Sequence, residues 1–200
     1  MKKIMLLLMI ACGWWHKANS QSNTGLEQYY YMNAEAITIS PKAWYQFKNG
    51  WYLEGRYNYE EVRTGSVYIG KTFEHEAAFS YEITPMIGVV GGLINGGAIA
   101  ENGTARFKKI LLSLQSQYTF SIENCNKNFV YAWVDLSYDL FKGLSLGLSM
   151  QQTNLYQTKG RSERGFFLKA ELGKWEFPVY IFNPSGNNRY MVLGLNYTYR

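Results

Sequence analysis

Two aspartates and one histidine are the residues whose types and spacing could support chemistry in this sequence of 200 residues. Asp135 and Asp139 lie four positions apart, and a pair of carboxylates can exchange protons with a substrate or bind a cation. His75 is the only histidine beyond residue 20, and hydrolytic enzymes generally use a histidine as their base. No serine or aspartate partner for His75 is evident, so we expect no catalytic site there and interpret His75 as part of a solvated turn.

Alternating polarity runs along nearly the whole chain, and a period of two residues predicts β-strands. The clearest case has Trp51 and Leu53 on one face and Glu54 and Arg56 on the other. The predicted strands are Ile37–Phe47, Trp51–Glu60, Ser66–Phe73, Ala77–Gly91, Ala98–Phe107, Ile110–Ile122, Val130–Leu140, Leu144–Tyr156, Phe166–Leu172, Trp175–Phe182 and Tyr190–Tyr199. No segment after residue 20 keeps a helical spacing, which predicts an all-β protein.

Three features of these strands favour an antiparallel transmembrane β-barrel. Many strands reach the roughly ten residues that a tilted strand needs to cross a bilayer. Aromatic residues cluster towards strand ends, where membrane barrels carry interfacial belts. The polar face is too charged for the core of a closed soluble protein. A soluble β-sandwich or a lipocalin-like barrel that binds an apolar ligand is the alternative fold.

The number of strands follows from the connections between them. Single-chain bacterial barrels normally have an even number of strands, so a twelfth is predicted within Leu26–Ala34. Ten strands is the alternative if Ala98–Phe107 forms a loop.

The lengths of the connections predict the orientation of the barrel. Counted from the C-terminus, the connections between strands are alternately long and short, and outer-membrane barrels place their short turns in the periplasm. This pattern predicts that Arg200 lies in the periplasm.

The N-terminus has the pattern of an export signal. Lys2 and Lys3 precede the apolar stretch Ile4–Trp15, and a cleavage site at Ala18-Asn19-Ser20 would leave Gln21 as the new terminus. We therefore expect residues 1–20 to be a signal peptide and residues 21–200 to form one barrel domain. A lipoprotein anchored through Cys12, or a buried N-terminal helix, is the alternative.

Removal of the signal changes the charge and cysteine content. Three lysines and no acidic residue are lost, so the formal net charge falls from +5 to +2. The positive net charge of the full sequence is therefore no argument for nucleic-acid binding. Cys125 is left as the single cysteine, which excludes an internal disulfide and a cysteine metal cluster. We expect no metal and no cofactor.

The predicted signal peptide, the alternating strands and the final strand Tyr190–Tyr199 resemble those of small bacterial outer-membrane barrel proteins. The resemblance implies a position in the outer membrane, contact with its lipid and lipopolysaccharide, and recognition of the last strand by the barrel-assembly machinery. In this family the last strand usually ends with an aromatic residue at the C-terminus, whereas here Arg200 follows Tyr199. The likeness is architectural and implies no particular solute, enzyme activity or oligomeric state.

Strand parity predicts which charged residues face the lumen of such a barrel. These candidates are Lys42, Glu54, Arg56, Glu60, Glu82, Asp135, Asp139, Lys169, Glu171 and Glu176. We expect Asp135 and Asp139 to pair with Arg56, Lys42 or Lys169 across a narrow lumen. The acidic excess predicts that any pore favours cations, and the same charges could equally plug the lumen.

A second charged set is expected outside the membrane. Lys159, Arg161 and Arg164 make the longest external loop basic, which fits an ordinary solvated loop or a surface for anionic lipopolysaccharide. The sequence thus predicts a non-enzymatic barrel that is structural or a narrow, cation-leaning pore for small solutes. A lipid-modifying barrel enzyme is the alternative within the membrane.

Overall fold

The wall of the molecule is built from β-strands. The computed structural model describes residues 22–33, 36–59, 61–123, 127–155 and 161–199, and the predicted signal peptide lies outside these ranges. The strands are β1 (Asn23–Met32), β2 (Ile37–Gln46), β3 (Trp51–Tyr57), β4 (Gly65–Lys71), β5 (Phe73–His75), β6 (Phe79–Gly91), β7 (Gly96–Phe107), β8 (Ile110–Ser121), β9 (Phe129–Phe141), β10 (Leu144–Leu155), β11 (Arg161–Leu172), β12 (Trp175–Phe182) and β13 (Tyr190–Tyr199). In the described part of the chain no helix is long and apolar enough to span a membrane.

The strands close into an antiparallel barrel. Neighbours in sequence are hydrogen-bonded to each other, except that β4 pairs with β6 while the short β5 also pairs with β6. The circle is completed by β1, which pairs with both β2 and β13. Closure removes the free edges that would otherwise expose unpaired backbone groups in the membrane.

Strands β4 and β5 together form one position in the wall. Gly70 faces Met86 and Phe73 faces Ile83, so both segments keep the same register against β6. β4 ends at Lys71 and the break between the segments is at Thr72. The same register places Pro85 opposite Lys71, and proline has no backbone N–H to donate. The barrel therefore has twelve wall strands plus the short β5, which confirms the expected twelve and excludes ten.

The alternation of polarity in the sequence corresponds to the two faces of this wall. In β3, Trp51 and Leu53 are 48% and 40% exposed on the outside, whereas Glu54 and Arg56 are only 2% and 3% exposed inside. Large apolar side chains cover the outside along the other strands as well. An outward apolar surface around polar inward residues is the pattern of a barrel that crosses lipid.

The two ends of the barrel differ in their connections. Turns of only two residues join β7 to β8, β9 to β10 and β11 to β12, and Gly143 and Gly173 take positive φ angles of 85° and 65° in two of them. We call this the short-turn end, and the start of β1 and the end of β13 lie there too. The opposite end, which we call the long-loop end, carries longer connections such as residues 58–64, 92–95 and 183–189.

Candidate functional site

A network of charged residues occupies the lumen beside β1, β2 and β3. The carboxylate of Glu54 accepts a short hydrogen bond from Arg56 Nε and a second bond from Tyr52 OH at 2.8 Å. Lys42 Nζ lies 2.8 Å from Glu27 Oε2 and 4.0 Å from Glu54 Oε2. We call Glu27, Lys42, Glu54 and Arg56 the charged cluster. Its charges are mutually paired, as burial away from water requires.

The charged cluster reaches across the barrel to strands that are not its neighbours in the wall. Arg56 Nη1 donates to Gln117 Oε1 on β8 at 2.8 Å, and Asn102 Nδ2 on β7 donates to Glu54 Oε2 at 3.0 Å. The Arg56 guanidinium also lies 4.6 Å from the ring centroid of Tyr68. These contacts cross the lumen and narrow it at the height of Arg56.

Aromatic residues fill a second sector of the lumen. Trp133 on β9 lies with its ring centroid 5.3 Å from that of Tyr29 on β1 and 5.0 Å from that of Tyr180 on β12. The aromatic cluster consists of buried Ile94, Phe129, Tyr131, Trp133, Phe167, Tyr180, Phe182 and Val192, with Tyr29, Tyr31 and Tyr190 packed against them. Because β1 and β9 are far apart in the wall order, this packing also spans the lumen.

Asp135 lies inside the aromatic sector without a cation. Its carboxylate accepts hydrogen bonds from Trp133 Nε1 at 2.8 Å, Ser149 Oγ at 2.5 Å and Tyr180 OH at 2.9 Å. Within the described ranges no lysine or arginine forms an ion pair with it. The expected ion pair of Asp135 with Arg56, Lys42 or Lys169 is therefore wrong. Arg56 and Lys42 are held in the charged cluster on the other side of the lumen, and Lys169 forms its ion pairs with Glu171 and Glu176.

A loop at the long-loop end folds over the aromatic cluster. Ile94 in the β6–β7 connection is only 4% exposed and packs within that cluster. Next to it, Asn95 Nδ2 donates to Glu123 Oε1 at 2.5 Å, and Lys127 Nζ lies 2.5 Å from Glu123 Oε2. The hydrogen bonds from Lys127 and Asn95 lower the pKa of Glu123 below its usual value. This loop therefore stays tied to the β8–β9 connection by an ionised carboxylate at neutral pH.

A further set of lumen charges forms a more open group near the short-turn end. Arg106 Nη1 lies 2.6 Å from Asp139 Oδ2, and Lys169 Nζ lies 3.0 Å from Glu171 Oε1 and 3.7 Å from Glu176 Oε1. These side chains, which we call the vestibule, are partly exposed to solvent. Asp139 thus pairs with Arg106, and the expectation that it would pair with Arg56, Lys42 or Lys169 is wrong.

Glu82 belongs to the same end of the barrel. It is exposed, and its backbone pairs with that of Glu74 on β5. It shares the inward parity of Thr84, which is buried against Thr72. Glu82 therefore lies at the rim of the lumen.

The basic group predicted for the external loop is divided by the structure. Arg161 and Arg164 belong to β11, because the β10–β11 ladder extends as far as the pairing of Thr153 with Arg161. The expectation that both lie in a loop is therefore wrong. Lys159 and the lumen candidate Glu60 lie outside the described residues.

His75 lies at the end of β5, where its backbone pairs with Tyr81. The expectation of a turn is wrong, because the ladder with β6 continues past Thr72 to this residue. Its ring is exposed and stacks on the Tyr81 ring with a centroid distance of 5.5 Å. This contact offers stacking and no acid–base partner.

Several lumen residues were missed by the sequence reasoning. Glu27 lies in β1, whose alternation is obscured by the run Tyr29-Tyr30-Tyr31. Arg106 has the same parity as inward Asn102 and could have been identified from β7. Glu163, which accepts a hydrogen bond from Tyr190 OH, lies in the part of β11 that was expected to be loop.

Acidic groups are in excess over basic groups on the described inward face. The carboxylates are Glu27, Glu54, Glu74, Glu82, Asp135, Asp139, Glu163, Glu171 and Glu176, and the cations are Lys42, Arg56, Arg106 and Lys169.

Comparison with known proteins shows the fold. No family model and no curated protein matches the sequence. Among solved structures, the chain is similar to a KdgM porin, with a TM-score of 0.61 and 14% identity over 88% of this chain and 99% of that chain. A NanC porin matches over the same shares with a TM-score of 0.60 and 10% identity. The chain therefore has the fold of a twelve-stranded outer-membrane porin.

Proposed function

We propose that the protein is a narrow outer-membrane pore for small solutes, constricted by its own inward side chains. The observation that carries this proposal is the contact of Arg56 on β3 with Gln117 on β8 across the lumen. A barrel of about twelve strands lies between small barrels filled by side chains and wide porins. We infer that the side chains that cross this lumen leave a narrow passage.

The charge of the lumen supports a preference for cations. Acidic residues outnumber basic ones on the described inward face, and Asp135 is bound only by neutral donors. A KdgM porin has been solved in complex with oligogalacturonate, whose sugar units carry carboxylates. The acidic lumen of this chain opposes a polyanion, so we propose that neutral and cationic solutes are its substrates.

The pore proposal is tested by shortening one side of the constriction. Gln117→Ser removes the amide that meets Arg56 without changing the charge, so single-channel conductance in planar bilayers should rise severalfold. Gln152→Ser is the matched control, because Gln152 is exposed and alternates with inward Gln151 on β10. An unchanged conductance in Gln117→Ser, or an equal rise in both variants, would contradict the proposal.

A structural barrel without a pore is the second candidate. The specific observation in its favour is that both the charged cluster and the aromatic cluster span the lumen. Complete electrical silence of the wild type and of Gln117→Ser would favour this function. Catalysis forms no part of either proposal, since the ring contact that the structure gives His75 is stacking on Tyr81.

Export and assembly complete the proposal. Cleavage after Ser20 would deliver the chain to the periplasm with Gln21 as its first residue. The barrel-assembly machinery would then recognise β13, which closes the barrel by pairing with β1. Outer-membrane lipid surrounds the apolar wall, and lipopolysaccharide is the lipid expected around the long-loop end.

A further inference from the structure

Lysines occupy the turns at the short-turn end of the barrel. Each of the connections β2–β3, β7–β8, β9–β10 and β11–β12 carries a lysine and no acidic residue. Together with the lysine that ends β4, they form a set that we call the lysine belt: Lys48, Lys71, Lys108, Lys109, Lys142 and Lys174. The connection β5–β6 interrupts the belt, because it carries Glu76 instead.

Four ammonium groups of the belt lie over aromatic rings. The distances from Nζ to the ring centroid are 5.6 Å for Lys71 over Trp51, 5.3 Å for Lys108 over Phe107, 5.8 Å for Lys109 over Tyr138 and 3.7 Å for Lys174 over Tyr199. All four rings are exposed on the outward face of the wall. A ring attracts an ammonium group within about 6 Å of its centroid, so these lysines lean onto the outside of the barrel.

The acidic residues of the vestibule do not neutralise the lysine belt. Asp139, Glu171 and Glu176 lie inside the same end of the barrel, where their ion pairs are with other cations, Arg106 and Lys169. No belt lysine forms an ion pair with a residue in the described part of the chain. The belt therefore presents an unneutralised positive charge on the face that meets the membrane.

The height of the belt determines which part of a lipid it can reach. Trp51 begins β3 and Phe107 ends β7, so their rings lie where the wall enters the bilayer. Aromatic residues at the ends of membrane-spanning strands lie at the level of the lipid headgroups. Lysine stems lie along apolar surface and keep the ammonium group at this level. The belt can therefore contact headgroup phosphates.

We propose that the lysine belt binds anionic phospholipids in the leaflet at the short-turn end. An ammonium group that rests on a ring keeps N–H donors for the oxygens of a phosphate. Lysines that cluster beside a membrane-spanning segment attract anionic headgroups. A zwitterionic headgroup carries its own neutralising cation, so the belt favours lipids with a net negative charge. Successive hairpins are two strands apart, about 10 Å along the wall, which separates the contacts enough for several lipids.

Two tryptophans beside the belt can report which lipid is bound. Trp51 lies under Lys71 and Trp175 follows Lys174, and both rings are exposed on the outside. The other tryptophans of the described strands face the lumen. In mixed vesicles, phosphatidylglycerol brominated next to its headgroup should quench tryptophan fluorescence severalfold more effectively than phosphatidylcholine brominated at the same position. Equal quenching by the two lipids would overturn the proposal.

Charge variants locate this selectivity on the protein. Lys71→Gln combined with Lys174→Gln should make the two lipids nearly equal as quenchers, whereas arginine at both positions should preserve the preference. Arg164→Gln combined with Arg189→Gln is the matched control, because it removes the same charge from exposed residues near the long-loop end. Heat-modifiable migration verifies that each barrel is folded. The proposal fails if the control loses as much selectivity as the lysine variant, or if the lysine variant loses none.

Salt and free phosphate separate a lipid headgroup from a dissolved anion. Sodium chloride should reduce the preference for phosphatidylglycerol, because it screens exposed charges. Inorganic phosphate at the same ionic strength should reduce the preference equally. A larger reduction by inorganic phosphate would assign the belt to the free anion and overturn its assignment to lipid. Since the belt lies on the outside of the barrel, this result is independent of the pore proposal.

Discussion

At the scale of single residues, Asp135 is the most informative group in the lumen. It is a carboxylate with three neutral donors and no cation within the described ranges, whereas Glu54 and Asp139 are both ion-paired. In the proposed pore, a carboxylate without an ion pair would favour cations. Removal of one partner from a buried ion pair typically costs about 3–5 kcal/mol, so Asp135 is also a safer target for mutation than Glu54.

We expect Asp135→Asn to weaken cation preference without loss of the fold. The asparagine oxygen can still accept from Trp133 and Ser149, and the reversal potential in a salt gradient should shift towards zero because one lumen charge is lost. Glu101→Gln is the matched control. Glu101 lies on β7 next to inward Asn102 and on the same outward face as exposed Ile99, so the variant removes the same charge from the outer wall. A shift of equal size in both variants would show that Asp135 has no special influence on the pore.

At the scale of strands, the period of two assigns each side chain to lipid or lumen. On β8, Leu114 takes the outward position and Ser113 the inward one. The same alternation failed to predict the start of β11, because Arg161–Gly165 contains no large apolar residue and therefore has the pattern of a loop. That strand is extended by its hydrogen-bonded ladder with β10, which depends on the neighbour and not on polarity.

We expect Leu114→Arg to impair assembly far more than Ser113→Arg. An arginine on the lipid face near mid-membrane costs about 2–4 kcal/mol. An arginine at position 113 enters the lumen, where its cross-strand neighbour is Asp135. Heat-modifiable migration of the membrane fraction measures the folded yield, and similar yields for the two variants would mean that the faces of β8 are reversed.

At the scale of the whole molecule, the barrel combines an apolar outside with a paired polar inside. The exposed large hydrophobic residues lie on the outward face around the wall, and the lumen contains the charged cluster, the aromatic cluster and the vestibule. Burial of the outside in lipid is an apolar interaction. It differs physically from the electrostatic attachment of a peripheral protein, which salt screens.

We therefore expect the protein to remain in the outer-membrane fraction after washing with salt. At about 1 M salt the Debye length falls to about 3 Å, which releases proteins held by surface charge. An outer-membrane barrel of known fold provides the positive control, and a periplasmic protein provides the negative one. Recovery of the chain in the soluble periplasmic fraction would contradict the membrane fold.

The sequence by itself determined the all-β class, most strand positions and the faces of most strands, because alternation is a local property that neighbouring residues reveal. It placed Lys42, Glu54 and Arg56 on one face for the same reason. Only the tertiary structure decided which of these inward residues meet, since closure of β1 on β13 and the stagger of the strands bring Arg56 to Gln117 and Tyr29 to Trp133. The hydrogen bond from Tyr180 to Asp135 depends on the same closure, because residues on different strands of a barrel have no fixed spacing along the chain.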